Sequence, residues 1–131
     1  MVNLIIKVIS IVVLMLPPAF LKAEASDQTY TIGFGSCITE KREQPIWKAI
    51  KEENIDEFFF MGDNVYGDSD DGLLIEMKES YKKQKNMFPD WVFSKKLNAI
   101  WDDHDYGKND GGFEYPLKQE AQAMFLEFWN V

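Results

Sequence analysis

Along residues 26–131, segments whose apolar residues are arranged as in strands alternate with segments whose apolar residues are spaced as in helices. Short blocks rich in β-branched and aromatic residues predict strands at residues 29–34, 58–61 and 98–101. Apolar residues three or four positions apart predict helices at 45–53, at 72–86 and from 117 onward, with a short helix or turn at 89–97. This βαβαβα order predicts an α/β fold, with a parallel sheet and flanking helices. The continuous apolar block at 58–61 predicts a strand buried on both faces.

Residues able to bind a metal ion follow each of the three predicted strands. Gly35, Ser36 and Cys37 follow the first strand, a GDNVY segment at 62–66 follows the second, and a WDDHDYG segment at 101–107 follows the third. Ligands of open α/β sheets bind outside the carboxyl ends of the strands. We therefore expect the three segments to contribute to one shared metal site.

The segment at 101–107 places three carboxylates on one short loop beside His104, the only histidine of the chain. Asp102, Asp103 and Asp105 offer hard oxygen ligands, and an imidazole suits metal binding or proton transfer near neutral pH. Taken alone, the segment has an alternative interpretation as an acidic surface turn.

The GDNVY segment carries a second candidate group. Asp63 could bridge two cations through its two oxygens, while Tyr66 supplies a phenolate to one of them. Two metal ions held in this way can clamp a phosphoryl group and activate a water molecule. The alternative is an ordinary turn after a strand, with a tyrosine in the core.

Composition and charge narrow the class of partner. An apolar fraction of 46% fits one globular domain. The net charge of -8 leaves no basic stripe that could neutralise phosphates, so nucleic acid is not expected as a partner. Asp68, Asp70 and Asp71 are assigned to a solvated loop, because their spacing does not fit a calcium-binding EF-hand loop.

Residues 1–25 have the pattern of a cleaved secretory signal. Lys7 precedes an apolar run at 8–16, two prolines follow it, and Ala23, Glu24 and Ala25 form a cleavage site before Ser26. An uncleaved membrane anchor is the alternative, although the apolar run is short for a bilayer. We expect a secreted or periplasmic protein without stable membrane insertion after cleavage.

Export makes the single cysteine informative. In an oxidising compartment Cys37 has no partner for an intramolecular disulfide. It must therefore be buried, paired with another chain or held as a metal thiolate.

Four segments of the chain carry a combined family signature: GSC at 35–37, QPIW at 44–47, FFFMGDNVYGD at 58–68 and WDDHDYGKND at 101–110. Together they resemble the alkaline phosphatase D-like family of the calcineurin-like metallophosphoesterases, and the similarity runs from about residue 31 to residue 129. The resemblance implies the N-terminal half of a metallophosphoesterase-like α/β sandwich. Residues 26–131 would then be a partial catalytic domain that is truncated at its C-terminal end.

The resemblance also implies a role for each matching residue. Cys37 and Tyr66 match a thiolate and a phenolate ligand of a ferric ion, and Asp63 matches the carboxylate that bridges the iron to neighbouring calcium-like ions. Asp103 matches a ligand of the second metal. His104 matches a histidine beside the scissile bond, which could protonate the leaving oxygen or stabilise transition-state charge. Fe(III) and Ca(II) are the implied cofactors, with zinc or manganese as alternatives.

Asp102 and Asp105 are expected either to orient His104 or to reach a metal.

The leading functional expectation is a metal-dependent phosphoesterase that hydrolyses small phosphomonoesters or phosphodiesters through a metal-bridged hydroxide. The alternative is a truncated, non-catalytic protein that binds metal or phosphate without turnover. A third interpretation is a membrane-tethered interaction module that keeps its first segment. The sequence does not predict an oligomeric state.

Overall fold

The computed structural model describes residues 29–130 and contains a three-stranded parallel sheet with helices packed on it. The elements in chain order are β1 (Ile32–Gly35), α1 (Ile46–Glu52), β2 (Glu57–Met61), α2 (Ile75–Met87), a 3-10 turn (Val92–Ser94), β3 (Lys96–Ile100), α3 (Asp103–Tyr106) and α4 (Lys118–Trp129). The predicted α/β architecture with a parallel sheet is confirmed. The predicted signal segment at 1–25 lies outside the described residues. No helix within 29–130 is long and apolar enough to cross a membrane.

The sheet has the order β1-β2-β3, so each crossover steps in the same direction. Right-handed crossovers that step in one direction place their helices on one face of the sheet. The core confirms this arrangement, because Phe58 and Phe60 of β2 pack against Trp47 of α1. Phe60 also contacts Phe88, just after α2, and Trp129 of α4, with ring centroids 5.5 and 4.6 Å apart. This face therefore holds the aromatic core.

The opposite face of the sheet carries a cluster of Glu57, Lys96 and Asn98 and several apolar side chains that are open to solvent in the described structure. Strand register places Phe34 beside Phe59, and Met61 beside Ile100, on this face. Phe34 is 66% exposed and Ile100 is 52% exposed. The prediction that residues 58–61 are buried on both faces is therefore wrong. Side chains alternate along a strand, and only Phe58 and Phe60 face the helices.

Several element bounds differ from those that the sequence predicts, and strand β1 begins at Ile32 rather than at residue 29. Helix α2 begins at Ile75 rather than near residue 72, because a turn precedes it: Ser69 Oγ and the Leu73 N–H both donate to Asp71 Oδ1, at 2.6 and 2.9 Å. Strand β3 begins at Lys96 rather than at residue 98. Residues 103–106, expected on a loop, form the short helix α3.

The QPIW segment contributes to the fold through two linked, partly buried hydrogen bonds. Gln44 accepts a hydrogen bond from Trp47 Nε1 at 2.8 Å and donates one to Gln84 Oε1 of α2 at 2.9 Å. These hydrogen bonds fix Trp47 over β2 and link α1 to α2.

Candidate metal site

The three predicted metal-binding segments lie together at the carboxyl ends of the strands. The N–H of Cys37 donates to the carbonyl of Gly62 at 3.2 Å, and the N–H of Ile38 donates to the carbonyl of Asp63 at 3.1 Å. Gly62 has a φ of 97°, and a Cβ added there would lie 2.7 Å from Cβ of Asp102. A glycine is therefore required where the second segment meets the third.

Asp63 is the centre of this region. Its backbone has a left-handed φ of 51°, which is uncommon for a residue other than glycine. Its Oδ2 accepts hydrogen bonds from Tyr66 Oη at 3.2 Å and from Cys37 Sγ at 3.4 Å. Its Oδ1 is buried and has no hydrogen-bond partner among the described residues. An unpaired buried carboxylate oxygen is unusual and calls for an explanation, such as an ion.

Asp103 and His104 also lie close to Asp63. One potential ligand atom from each of these three side chains lies within 4.8 Å of the other two. Both residues belong to the first turn of α3, where Asp103 Oδ2 also accepts a hydrogen bond from the N–H of Asp110 at 2.6 Å. Asp63 is therefore shared between a Cys37–Tyr66 group and an Asp103–His104 group.

His104 is oriented by Asp68. The two atoms His104 Nδ1 and Asp68 Oδ1 are 2.8 Å apart, and the side chains are only 19% and 16% exposed. The ring of Tyr66 packs on the imidazole, with centroids 4.2 Å apart. The assignment of Asp68 to a solvated loop is therefore wrong. Asp70 and Asp71, in contrast, are exposed.

The charges around His104 favour its protonated form. Burial alone would lower the pKa of His104, but the hydrogen bond to Asp68 and the nearby charges of Asp68, Asp103 and Asp63 raise it above its ordinary value. The contact with Asp68 is made through Nδ1, so Nε2 is the ring nitrogen that can face another group.

Asp102 and Asp105 hold the backbone, and neither is hydrogen-bonded to His104. Asp102 Oδ1 accepts from the N–H of Asp103 at 3.0 Å, and Asp105 completes a capping box with it at the start of α3. Asp105 is fully buried, and its carboxylate also accepts hydrogen bonds from Asn64. Burial raises the pKa of Asp105 to about 6, although the N–H groups of Asp102 and Asn64 oppose this shift. The expected orientation of His104 comes from Asp68 instead.

Cys37 and Tyr66 are potential metal ligands, and both side chains contact the same oxygen of Asp63. Cys37 is exposed, so the interpretation of it as a buried thiol is wrong. Burial, followed by the hydrogen bond with Cys37 and the charge of Asp63, raises the pKa of Tyr66. A phenol in these surroundings would ionise only next to a cation that takes up the charge.

The set of donors fits a cation. Within residues 29–130 the ion pairs are Glu57 with Lys96 and His104 with Asp68, so no lysine or arginine is paired with Asp63 or Asp103. Carboxylate oxygens suit hard cations, whereas a thiolate and a phenolate suit a softer or more highly charged one. The types of donor present therefore fit the metal ions that the family resemblance implies.

Three further residues support the site and were not assigned to it from the sequence. Asp68 holds His104, Asn64 holds Asp105, and the buried Glu40 accepts the N–H of Tyr66 through Oε2 at 3.0 Å. Asp68 and Asn64 stand in the FFFMGDNVYGD segment, which could have drawn attention to them. Glu40 follows Cys37 by only a few positions, and nothing in its spacing indicates this contact.

No family model, curated protein or solved structure matches this chain at a significant level. The resemblance to the alkaline phosphatase D-like family therefore stays a prediction. The geometry and chemistry of the site carry the functional proposal.

Proposed function

We propose that this protein is a metal-dependent phosphoesterase whose metal ions bind at the carboxyl ends of the three strands. The observation that carries the proposal is Asp63, whose buried Oδ1 has no hydrogen-bond partner among the described residues. Leaving a buried acceptor unsatisfied costs about 1–3 kcal/mol, and more for a charged group. A cation beside Asp63 would remove this cost.

The arrangement around Asp63 supports two adjacent metal positions. Cys37 and Tyr66 contact one oxygen of Asp63, and Asp103 and His104 each offer a ligand atom within 4.8 Å of one on Asp63. We assign Fe(III) to the first group and Ca(II) to the carboxylates of the second, with zinc or manganese as alternatives. Bound there, such cations supply Lewis-acid activation of a phosphate ester and an activated water molecule.

The protein's own residues would position and protonate the substrate. Asp68 holds the imidazole of His104 through Nδ1 and stabilises its positive charge. Nε2 of His104 can then donate a proton to the leaving oxygen of a phosphate ester. We propose a small phosphomonoester or phosphodiester as the substrate, and not a nucleic acid partner, because the chain is strongly acidic. On the basis of residues 1–25, we also propose a secreted or periplasmic location.

The test uses the purified full chain loaded with Fe(III) and Ca(II), with bound metal measured directly by elemental analysis. Hydrolysis of p-nitrophenyl phosphate and bis(p-nitrophenyl) phosphate is then followed across a range of pH. We expect turnover by the loaded protein. The matched control is Asp63→Asn, which keeps the size of the side chain and should lose both metal and activity.

The alternative function, binding without turnover, is favoured by the small number of potential ligands that the described residues bring together. Bound metal with no hydrolysis of either ester at any pH would contradict the phosphoesterase proposal and support binding alone. If neither metal binds, both functions are wrong.

A further inference from the structure

Asp105 joins the two loops that carry the proposed metal ligands. Its carboxylate accepts the N–H of Asn64 on Oδ1 at 3.0 Å, the side-chain amide of Asn64 on Oδ2 at 2.9 Å, and the N–H of Asp102 on Oδ2 at 3.1 Å. Asp105 is 0% exposed, so water does not compete for these bonds. One carboxylate therefore ties the loop after β2 to the loop after β3.

The two anchor points lie directly beside the ligands. Asn64 follows Asp63, and Asp102 precedes Asp103. The side-chain amide of Asn64 also donates to the carbonyl of Ile100, the last residue of β3, at 2.9 Å. The N–H of Asn64 lies in the planar peptide unit that follows Asp63, so fixing it orients the backbone of Asp63. The N–H of Asp102 belongs to the N-cap residue of α3, so fixing it holds the start of the helix that carries Asp103.

The carboxylate of Asp105 is suited to accept hydrogen bonds from two loops at once. An ionised carboxylate is an acceptor only and can take several donors on two oxygens. This suits Asp105, which accepts from Asn64 and Asp102 and also from Tyr81 Oη of α2, at 3.5 Å on Oδ1. A buried charge is unfavourable compared with an apolar residue of similar size, so stability alone gives little reason for it. Its distinctive contribution is the link between two particular loops.

We propose that Asp105 is a positioning residue that fixes the separation of Asp63 and Asp103 and thereby sets the metal affinity of the site. This inference rests on the proposed function, because it requires that Asp63 and Asp103 bind metal. Metal sites tolerate only about 0.2 Å of change in ligand distances, so a small relaxation of either loop is enough to weaken binding.

The first variant is Asp105→Asn, which keeps the shape but replaces one accepting oxygen by a donor that opposes the amide of Asn64. Affinities for Mn(II) and Ca(II) are measured by calorimetric titration, and the Fe(III) complex is monitored by its absorption spectrum. We expect the affinities to fall about 10–100-fold, as for other residues that orient metal ligands. The spectral signature of the thiolate and phenolate on Fe(III) should persist, because Cys37 and Tyr66 are not held by Asp105.

The control for a merely structural role is Ile55→Ala. Ile55 is 5% exposed and precedes β2, at the end of the strand away from Asp63. Its truncation removes buried core contacts and should lower the urea concentration at the midpoint of unfolding. At a temperature where the protein stays folded, its metal affinity should equal that of the unsubstituted protein.

A second variant, Asn64→Ala, keeps the proposal testable if Asp105→Asn does not fold. It removes the side-chain half of the link and keeps the backbone half, so we expect a smaller loss of metal affinity in the same direction. The double variant should lose no more affinity than Asp105→Asn alone, because both changes break one link.

Two outcomes would overturn the inference and can be told apart. If the unsubstituted protein binds metal and both folded variants bind it equally well, Asp105 has no positioning role while the metal site stands. If the unsubstituted protein binds none of the three ions, the metal site itself is wrong, and the role of Asp105 with it.

Discussion

Two carboxylates lie at opposite ends of β2, and their surroundings differ in the number of partners that the chain supplies. Glu57, at the start of the strand, is 6% exposed. It accepts hydrogen bonds from Tyr30 Oη at 3.0 Å and Asn98 Nδ2 at 2.5 Å, and it pairs with Lys96 Nζ at 3.0 Å. Asp63, just past the end of the strand, has one buried oxygen without any partner in the described structure.

This difference separates a carboxylate that the chain itself completes from the one that we propose to bind metal. The hydrogen bond and charge of Lys96 lower the pKa of Glu57 in spite of burial, with help from Asn98 and Tyr30, so the chain itself completes this group. Asp63 has no paired lysine or arginine in the described part of the chain, and its φ of 51° adds backbone strain. Residues that are strained or unsatisfied in this way are concentrated at functional sites.

The largest expected effect is on metal-induced stabilisation. A ligand at a concentration of one hundred times its Kd stabilises the folded state by about 2.7 kcal/mol. Saturating Mn(II) should give a gain of this size in the unsubstituted protein and in Glu57→Gln, and none in Asp63→Asn. Chemical denaturation with and without the metal measures it. In the absence of metal, Asp63→Asn should be at least as stable as the unsubstituted protein, because it removes an unsatisfied charge.

The roles given to Glu57 and Asp63 would be contradicted if Asp63→Asn strongly destabilised the metal-free protein while Glu57→Gln did not. Asp63 would then be the structural carboxylate of the two. Equal metal stabilisation of all three proteins would place the metal elsewhere.

The next effect concerns the pair of His104 with Asp68. Asp68→Asn removes the carboxylate that favours the imidazolium, so the pKa of His104 should fall, measured by NMR titration of the metal-free protein. Phosphoesterase activity should fall about 10–100-fold, as expected for a residue that orients a functional group. The matched control is Asp70→Asn, on the exposed part of the same loop, which should change neither quantity. An unchanged pKa of His104 in Asp68→Asn would mean that the contact does not control its protonation.

Much of the fold could be predicted from local spacing. The order of strands and helices and the parallel sheet follow from the spacing of apolar residues, because helices and strands place their side chains with different periods. Which face of β2 is covered could not be predicted. A block such as Phe58–Phe59–Phe60 is apolar on both faces, and only the direction of the crossovers decides which side receives the helices.

Some contacts of the candidate metal site could likewise be predicted from the sequence, whereas contacts between residues far apart in the chain could not. The meeting of Cys37, Asp63 and His104 was predictable, because parallel strands bring their carboxyl ends to one edge of the sheet. The contact of Asp68 with His104 was not, because it spans 36 positions and depends on how the loop after β2 folds back. Within WDDHDYG, the four-residue helix α3 turns Asp105 into the core, a distinction that four adjacent polar residues do not reveal.

The smallest effect is the response of the Glu57 cluster to acid. The folded-state pKa of Glu57 lies below its ordinary value of 4.5. Its contribution to stability is therefore fully present above that value and is lost as the pH falls through the folded-state value. Glu57→Gln should be less stable than the unsubstituted protein at pH 7, and the difference should shrink as the pH falls below about 4.5. Urea denaturation at a series of pH values measures this.

The matched control is Glu52→Gln, on the exposed side of α1. Its stability difference from the unsubstituted protein should be small and nearly independent of pH, because an exposed carboxylate has similar surroundings in the folded and unfolded chains. A difference for Glu57→Gln that stays constant down to acid pH would show that Tyr30, Asn98 and Lys96 do not act through the charge of Glu57. The difference between Glu57 and Asp63 would then be supported only by the measurements on Asp63.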